Sequence, residues 1–221
     1  MWFLQPGITF IDVLVRILAV LIIIFVILPF HEYAHSFVAY KLGDRTAKAT
    51  GRLTLNPLAH FDPIGSMCIL LFNFGWAKSV PVDSSNFKNP RRDMALVALA
   101  GPVSNILAAL IGGLLLNFIF AFWAVSVPMF VYTFFSYYIS INVELAVFNL
   151  IPLAPLDGFR VIEAFIPKKF IIKYYKGQWT IGIIIFLFIF FGFFSGPIDF
   201  LHRVIYNFII SITKWPFSFI S

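Results

Sequence analysis

His31-Glu32-Tyr33-Ala34-His35 sets two imidazoles four residues apart with a carboxylate between them. On a helix this spacing brings both rings to one face, where they can share a single Zn2+. Glu32 is then left beside the metal, placed to take a proton from a water molecule. That is the chemistry of a zinc hydrolase. The pentad closes a long apolar run, so the same residues also fit a polar helix end at a membrane surface, with one histidine capping and Glu32 solvated. Ionisable side chains at membrane depth are costly and as a rule functional, which favours the metal. Catalytic zinc takes three protein ligands and keeps a fourth position open, so one more ligand must come from elsewhere.

The stretch Asn149-Leu150-Ile151-Pro152-Leu153-Ala154-Pro155-Leu156-Asp157-Gly158 supplies a candidate. Two prolines and a glycine break a helix there and free backbone polar groups that lipid cannot satisfy. The stretch is therefore expected against protein or a wet cavity. Asp157 falls on the same membrane side as the histidines and is the expected third ligand. The plain alternative is a helix-breaking loop with a solvated Asp157.

These residues need a membrane scaffold, and the composition provides one. Of 221 residues 61% are hydrophobic and only 12% charged, with a mean hydropathy of +0.93. That excludes an ordinary soluble domain and implies an integral membrane protein in contact with the lipid bilayer. The expected fold is an all-α polytopic bundle of about five to six membrane segments. It forms one domain over residues 1–221, with a core over about 8–167 and C-terminal helices over about 179–213. The net charge of +6 does not call for nucleic acid, because the basic residues cluster between apolar segments as in cytoplasmic loops. Cys68 stands alone, which rules out an intrachain disulfide. No cleavable signal peptide is expected, since a basic n-region is missing.

The first helix is expected from about Ile8, through the histidines, to about Leu42, with Gly43 as its C-cap. Asp12 and Arg16, one turn apart, are placed to neutralise each other. Lys41, Arg45, Lys48 and Arg52 follow and put this end in the cytoplasm and the N-terminus outside. Thr46 to Leu55 reads as a short β-hairpin with a turn or bulge at Gly51, offering an edge strand to an extended substrate; an ordinary polar loop fits as well. Ile64 to Phe74 is half the length of a span, so a re-entrant or interfacial segment is expected. Pro128 divides the uncharged run that follows into segments of about Met94 to Val125 and Met129 to Leu150. Trp179 to Phe194 is a further span and Pro197 to Thr213 a final helix.

The pentad at His31, the Gly101-Pro102-Val103-Ser104-Asn105 run and Asn149 ahead of Asp157-Gly158 together resemble the site-2 protease family of intramembrane zinc metalloproteases, in its minimal prokaryotic form. The resemblance covers about Val20 to Pro167. It implies that His31, His35 and Asp157 bind Zn2+ and that Glu32 is the catalytic base. It further implies that Asn149 helps polarise the scissile carbonyl or hold its oxyanion, and that Gly101 and Asn105 bring the third segment close to the metal. The implied substrate is a transmembrane protein cut within its membrane segment, in a prokaryotic cell membrane; the basic residues after the first helix place the site near the cytoplasmic side.

Other polar residues carry weaker readings. Glu144, an acid within the fourth segment, is a candidate for substrate contact or gating, or pairs with a polar neighbour. His60 is a candidate for the entrance, or makes one interfacial hydrogen bond; His202 is expected to be peripheral. Ser104, Ala108 and Gly112 form a small-residue seam suited to helix packing. A divalent-metal transporter and a non-catalytic binder of membrane helices are the competing functions, and a transporter has little need of Glu32 as a base.

Overall fold

A computed structural model describes residues 9–72, 75–123, 127–167, 169–172, 174, 175, 177 and 195–218. The first helix, α1 (Phe10–Lys41), starts in a capping box. The Asp12 N–H donates to Thr9 Oγ1 (3.2 Å) and the Thr9 N–H returns a bond to Asp12 Oδ2 (3.0 Å). Asp12 therefore serves the helix end, while the Arg16 guanidinium lies 5.0 Å over the ring of Tyr137. At the far end Gly43 adopts φ 114°, the left-handed cap expected there.

Within α1 the turn Ile23–Ile27 is π-wound, and the Leu28 N–H donates to the carbonyl five residues back. Pro29, just beyond, cannot donate to the Phe25 carbonyl and crowds it, so a wider turn here relieves a defect the sequence imposes. The buried residues explain its use. They recur in pairs every four positions: Ala19 and Val20, Ile23 and Ile24, Ile27 and Leu28, His31 and Glu32, His35 and Ser36. A regular helix drifts by about 40° over each four residues, whereas a π turn winds back. The histidine pair is thereby kept on the face that packs the core.

Thr46 to Leu55 does not form the expected hairpin. Thr46–Ala49 is a single helical turn and no strand occurs among the described residues. The reason is Asp44, whose Oδ1 captures the Thr46 N–H (3.0 Å) and pulls the chain into a turn before it can extend. Gly51, at φ 69°, does mark a turn. Next comes α2 (Pro63–Phe72), about 15 Å long and too short to cross a bilayer. The chain then returns to where the helix began: Gly65 and Gly75 are in such contact that a Cβ on Gly75 would lie 2.1 Å from the Gly65 carbonyl oxygen.

The two long helices that follow, α3 (Pro90–Trp123) and α4 (Met129–Asn149), pack as an antiparallel pair, with Pro128 as the N-cap of α4. Gly112 sits so close to Tyr138 that a Cβ would fall 2.7 Å from its ring, and Ser104 and Ala108 are buried on the same side. The small-residue seam thus serves close helix approach. After α4 the chain breaks at Ile151–Leu156 and enters the short α5 (Asp157–Glu163). A guanidinium nitrogen of Arg91, at the start of α3, donates to the Ile166 carbonyl and ties the end of this region down. The last helix, α6 (Ser195–Lys214), packs on α3 and α4 through Ile209, Ala109 and Val143.

Among the described residues three helices are long and apolar enough to cross a membrane: α1, α3 and α4. The chain is an all-helical integral membrane protein. The expected span at Trp179 to Phe194 lies outside the described residues.

Candidate active site

The site assembles where α1, α3 and the start of α5 meet. His31 Nε2 and His35 Nε2 are 3.0 Å apart, and Asp157 Oδ2 lies 3.4 Å from the first and 3.3 Å from the second. Four ligands about 2.0–2.1 Å from a zinc ion at tetrahedral corners stand about 3.3 Å from one another. The three observed separations fit three corners of that figure. A hydrogen bond between the two imidazoles would account for their 3.0 Å contact alone. It would not explain why a carboxylate oxygen approaches both rings, nor why the buried Oδ2 has no hydrogen-bond donor among the described residues. The donor set, two imidazoles and a carboxylate, suits Zn2+.

The candidate ligands are positioned from different directions. The His35 Nδ1–H donates to the Val97 carbonyl of α3 (2.7 Å). This fixes the tautomer that leaves the Nε2 lone pair free for metal. Gly101, one turn along α3, lies flat against both rings: a Cβ there would sit 2.3 Å from His35 Nε2 and 2.5 Å from His31 Nε2. Asp157 opens α5, and Gly158 behind it packs on the Leu150 and Ile151 carbonyls so tightly that a Cβ would lie 2.2 Å from the nearer oxygen. This contact folds the broken stretch back on the end of α4.

Glu32 is buried beside the ligands, and its Oε2 accepts a hydrogen bond from the Val80 N–H (3.0 Å). Val80 belongs to the irregular segment 75–83, a partner sequence reasoning did not find because backbone donors leave no trace in residue type. The segment is tied at both ends. The Lys78 N–H donates to the His60 carbonyl (2.8 Å), and the Asp83 N–H donates to Asp44 Oδ2 (2.9 Å). Asp44 is fully buried and also accepts from Asn86 Nδ2 (2.8 Å) and from Thr46. Burial by itself would raise its carboxyl, but the bonds from Thr46, Asp83 and Asn86 outweigh it and hold the pKa below the usual 3.8. The anchor is thus complete above the ordinary carboxylate range and is lost only as pH falls through the lowered value.

Asp44→Ala is expected to cost about 2 kcal/mol or more by leaving buried donors unpaired. It should speed limited proteolysis between α2 and α3, and lower peptidase activity several-fold with zinc retained. Unchanged proteolysis and activity would show that the segment is held without it.

Asn149 ends α4, with its Nδ2 donating to the Leu145 carbonyl (3.0 Å). Asn105 is fully buried one turn beyond Gly101. The structure gathers His31, Glu32, His35, Asp157 and Gly101 into one place. Glu144 instead joins a polar group with Ser140 (3.3 Å) and His202 of α6 (3.9 Å), so His202 has a partner that its sequence position did not suggest. His60 is buried, with its Nε2 2.8 Å from the Thr54 carbonyl.

The family model for peptidase family M50 matches residues 119–191. The chain is 47% identical over 163 residues to "Putative zinc metalloprotease YwhC" of Bacillus subtilis (strain 168), an alignment covering 72% of this chain and 74% of that protein. The chain belongs to peptidase family M50, the site-2 protease family. This M50 chain is also 31% identical over 138 residues to "Putative zinc metalloprotease Rip2" of Mycolicibacterium smegmatis, covering 60% of this chain and 51% of that protein. Rip2 of Mycobacterium tuberculosis is 28% identical over the same length. No solved structure matches. The M50 chain is accordingly a zinc metalloendopeptidase. His31, His35 and Asp157 form a group of three side chains, among the described residues, that could hold a metal ion.

Proposed function

We propose that this M50 peptidase hydrolyses peptide bonds inside the bilayer, within membrane segments of transmembrane protein substrates. In this reading His31, His35 and Asp157 hold the zinc and Glu32 is the general base. The observation that carries it is the depth of the cluster. His31 lies ten residues before Lys41 on a membrane-crossing helix, about 15 Å down its axis.

A bound zinc ion supplies Lewis-acid polarisation of the scissile carbonyl and lowers the pKa of water toward about 7. Glu32 accepts a proton from the attacking water as its oxygen adds to the carbonyl carbon. It then delivers that proton to the amide nitrogen as the C–N bond breaks. The Val80 N–H fixes one carboxylate oxygen and leaves the other for the proton. Asn149 serves as a second donor to the carbonyl oxygen, exchanging its bond to Leu145 for one to substrate. A helical substrate hides its peptide bonds and must unwind locally, so helix-breaking residues near the cut favour cleavage.

Lys41, Arg45, Lys48, Arg52, Lys78, Lys88, Arg91 and Arg92 all fall between the end of α1 and the first turn of α3. This supports a cytoplasmic site and an exterior N-terminus, and the Bacillus relative supports a prokaryotic cell membrane.

The test is incubation of the purified protein with a panel of membrane-anchored helices, the product termini being mapped by mass spectrometry. New termini inside the apolar segments, abolished by a zinc chelator, are expected. Cuts confined to the flanking soluble residues would overturn the intramembrane reading.

A further inference from the structure

The two histidines are not equally supported. His35 Nδ1 has the Val97 carbonyl, whereas His31 Nδ1 is buried with no hydrogen-bond partner among the described residues. A ligating imidazole normally donates its other N–H to a fixed acceptor, which sets its tautomer and orientation. A fully buried side chain nearby has the opposite problem. Asn105 is 0% exposed, and neither its Nδ2 nor its Oδ1 has a partner among the described residues.

The helix register places these groups together. α1 and α3 run antiparallel at the site: His35 meets Val97, and His31 meets Gly101 four residues on. Asn105 is the next residue on that face of α3. Side chains tilt toward their helix N-terminus, so its amide leans back toward Gly101 and the His31 ring.

We propose that Asn105 is a positioning residue for His31, acting through one ordered water held between His31 Nδ1 and the Asn105 amide. The donors and acceptors balance. With His31 Nε2 on the metal, Nδ1 carries a proton and donates it to the water. The water donates to Asn105 Oδ1, and the Asn105 Nδ2–H donates back to it. Three hydrogen bonds are the usual complement of a buried water, and the orphaned His31 Nδ1, Asn105 Oδ1 and Asn105 Nδ2 are all satisfied.

This inference rests on the ligand assignment above, and its test separates the two. Zinc-loaded protein is mixed with excess chelator and the rate of zinc release is measured, together with the melting temperature of the metal-free form. Asn105→Leu and Asn105→Val are expected to release zinc about 10- to 100-fold faster than wild type. Their metal-free melting temperatures should stay close to wild type, because the bonds to the water are exchanged for apolar burial. Asn105→Ser, which keeps a hydroxyl for the water, is expected to stay close to the wild-type rate. Release at the wild-type rate from either apolar variant overturns the proposal, as does equal acceleration in the serine variant, which would mark a packing role. Wild-type protein that held no zinc would overturn the ligand assignment itself.

Discussion

Glu32→Gln is expected to bind zinc at the wild-type stoichiometry and to lose cleavage by about 10²- to 10⁴-fold. The two side chains are close to isosteric, so the exchange removes charge and basicity but not volume. The amide oxygen of glutamine can still accept the Val80 N–H that now reaches Glu32 Oε2 at 3.0 Å, so the side chain stays in place. What it loses is the capacity to take a proton from water and return it to a leaving amine. Metal analysis of the purified variant beside a cleavage assay on a membrane-anchored helix measures both halves of the expectation. A variant that cut at the wild-type rate would remove Glu32 from the mechanism. One that lost its zinc would make Glu32 part of the metal site instead. The same result separates a peptidase from a metal transporter, since a translocation path has no use for a base.

Gly101→Ala is expected to abolish tight zinc binding while the helix bundle survives. Two effects compete at this position. Alanine is favoured over glycine inside a helix by about 0.8–1.0 kcal/mol, which would stabilise α3. Against that, the new methyl would stand 2.3 Å from His35 Nε2 and 2.5 Å from His31 Nε2 and Cε1, far inside van der Waals contact. Overpacking of this kind costs typically about 1–3 kcal/mol, and the groups that must yield are the ligand atoms. The net change in stability is therefore small, and the damage falls on the metal site. The loss in zinc affinity should exceed the about 10- to 100-fold that follows from disturbing a ligand's outer partner, because here the ligands themselves are displaced. Zinc titration and thermal unfolding of the same preparation report the two quantities. Wild-type zinc affinity in this variant would mean that α3 does not press on the imidazoles as the structure shows.

The other positions that resisted sequence reasoning share a cause. Pro29 sits inside α1, and nothing in its neighbours announces the π turn at Ile23–Ile27 that keeps the histidines facing inward. The Thr46 to Leu55 stretch carries alternating residues suited to a strand, yet the Asp44 carboxylate captures Thr46 and starts a helical turn. Asp44 stands as an ordinary acid in a basic loop, although it binds the C-terminal flank of the segment that steadies Glu32. In each case the deciding partner is a backbone group or a residue outside the window that periodicity can examine.

The residue order by itself determined what a single helix presents. The four-residue spacing of His31 and His35, the apolar lengths of α1, α3 and α4, the stop at Gly43 and the break at Pro128 are all local, because helical geometry repeats within a few residues. It also named Asp157 as an acid beyond a broken helix. The tertiary structure decided that Asp157 reaches the histidines at 3.3–3.4 Å, that Val97 orients one of them and that Val80 steadies Glu32. Such convergence depends on how closely helices approach, and here the missing side chain of Gly101 sets that distance.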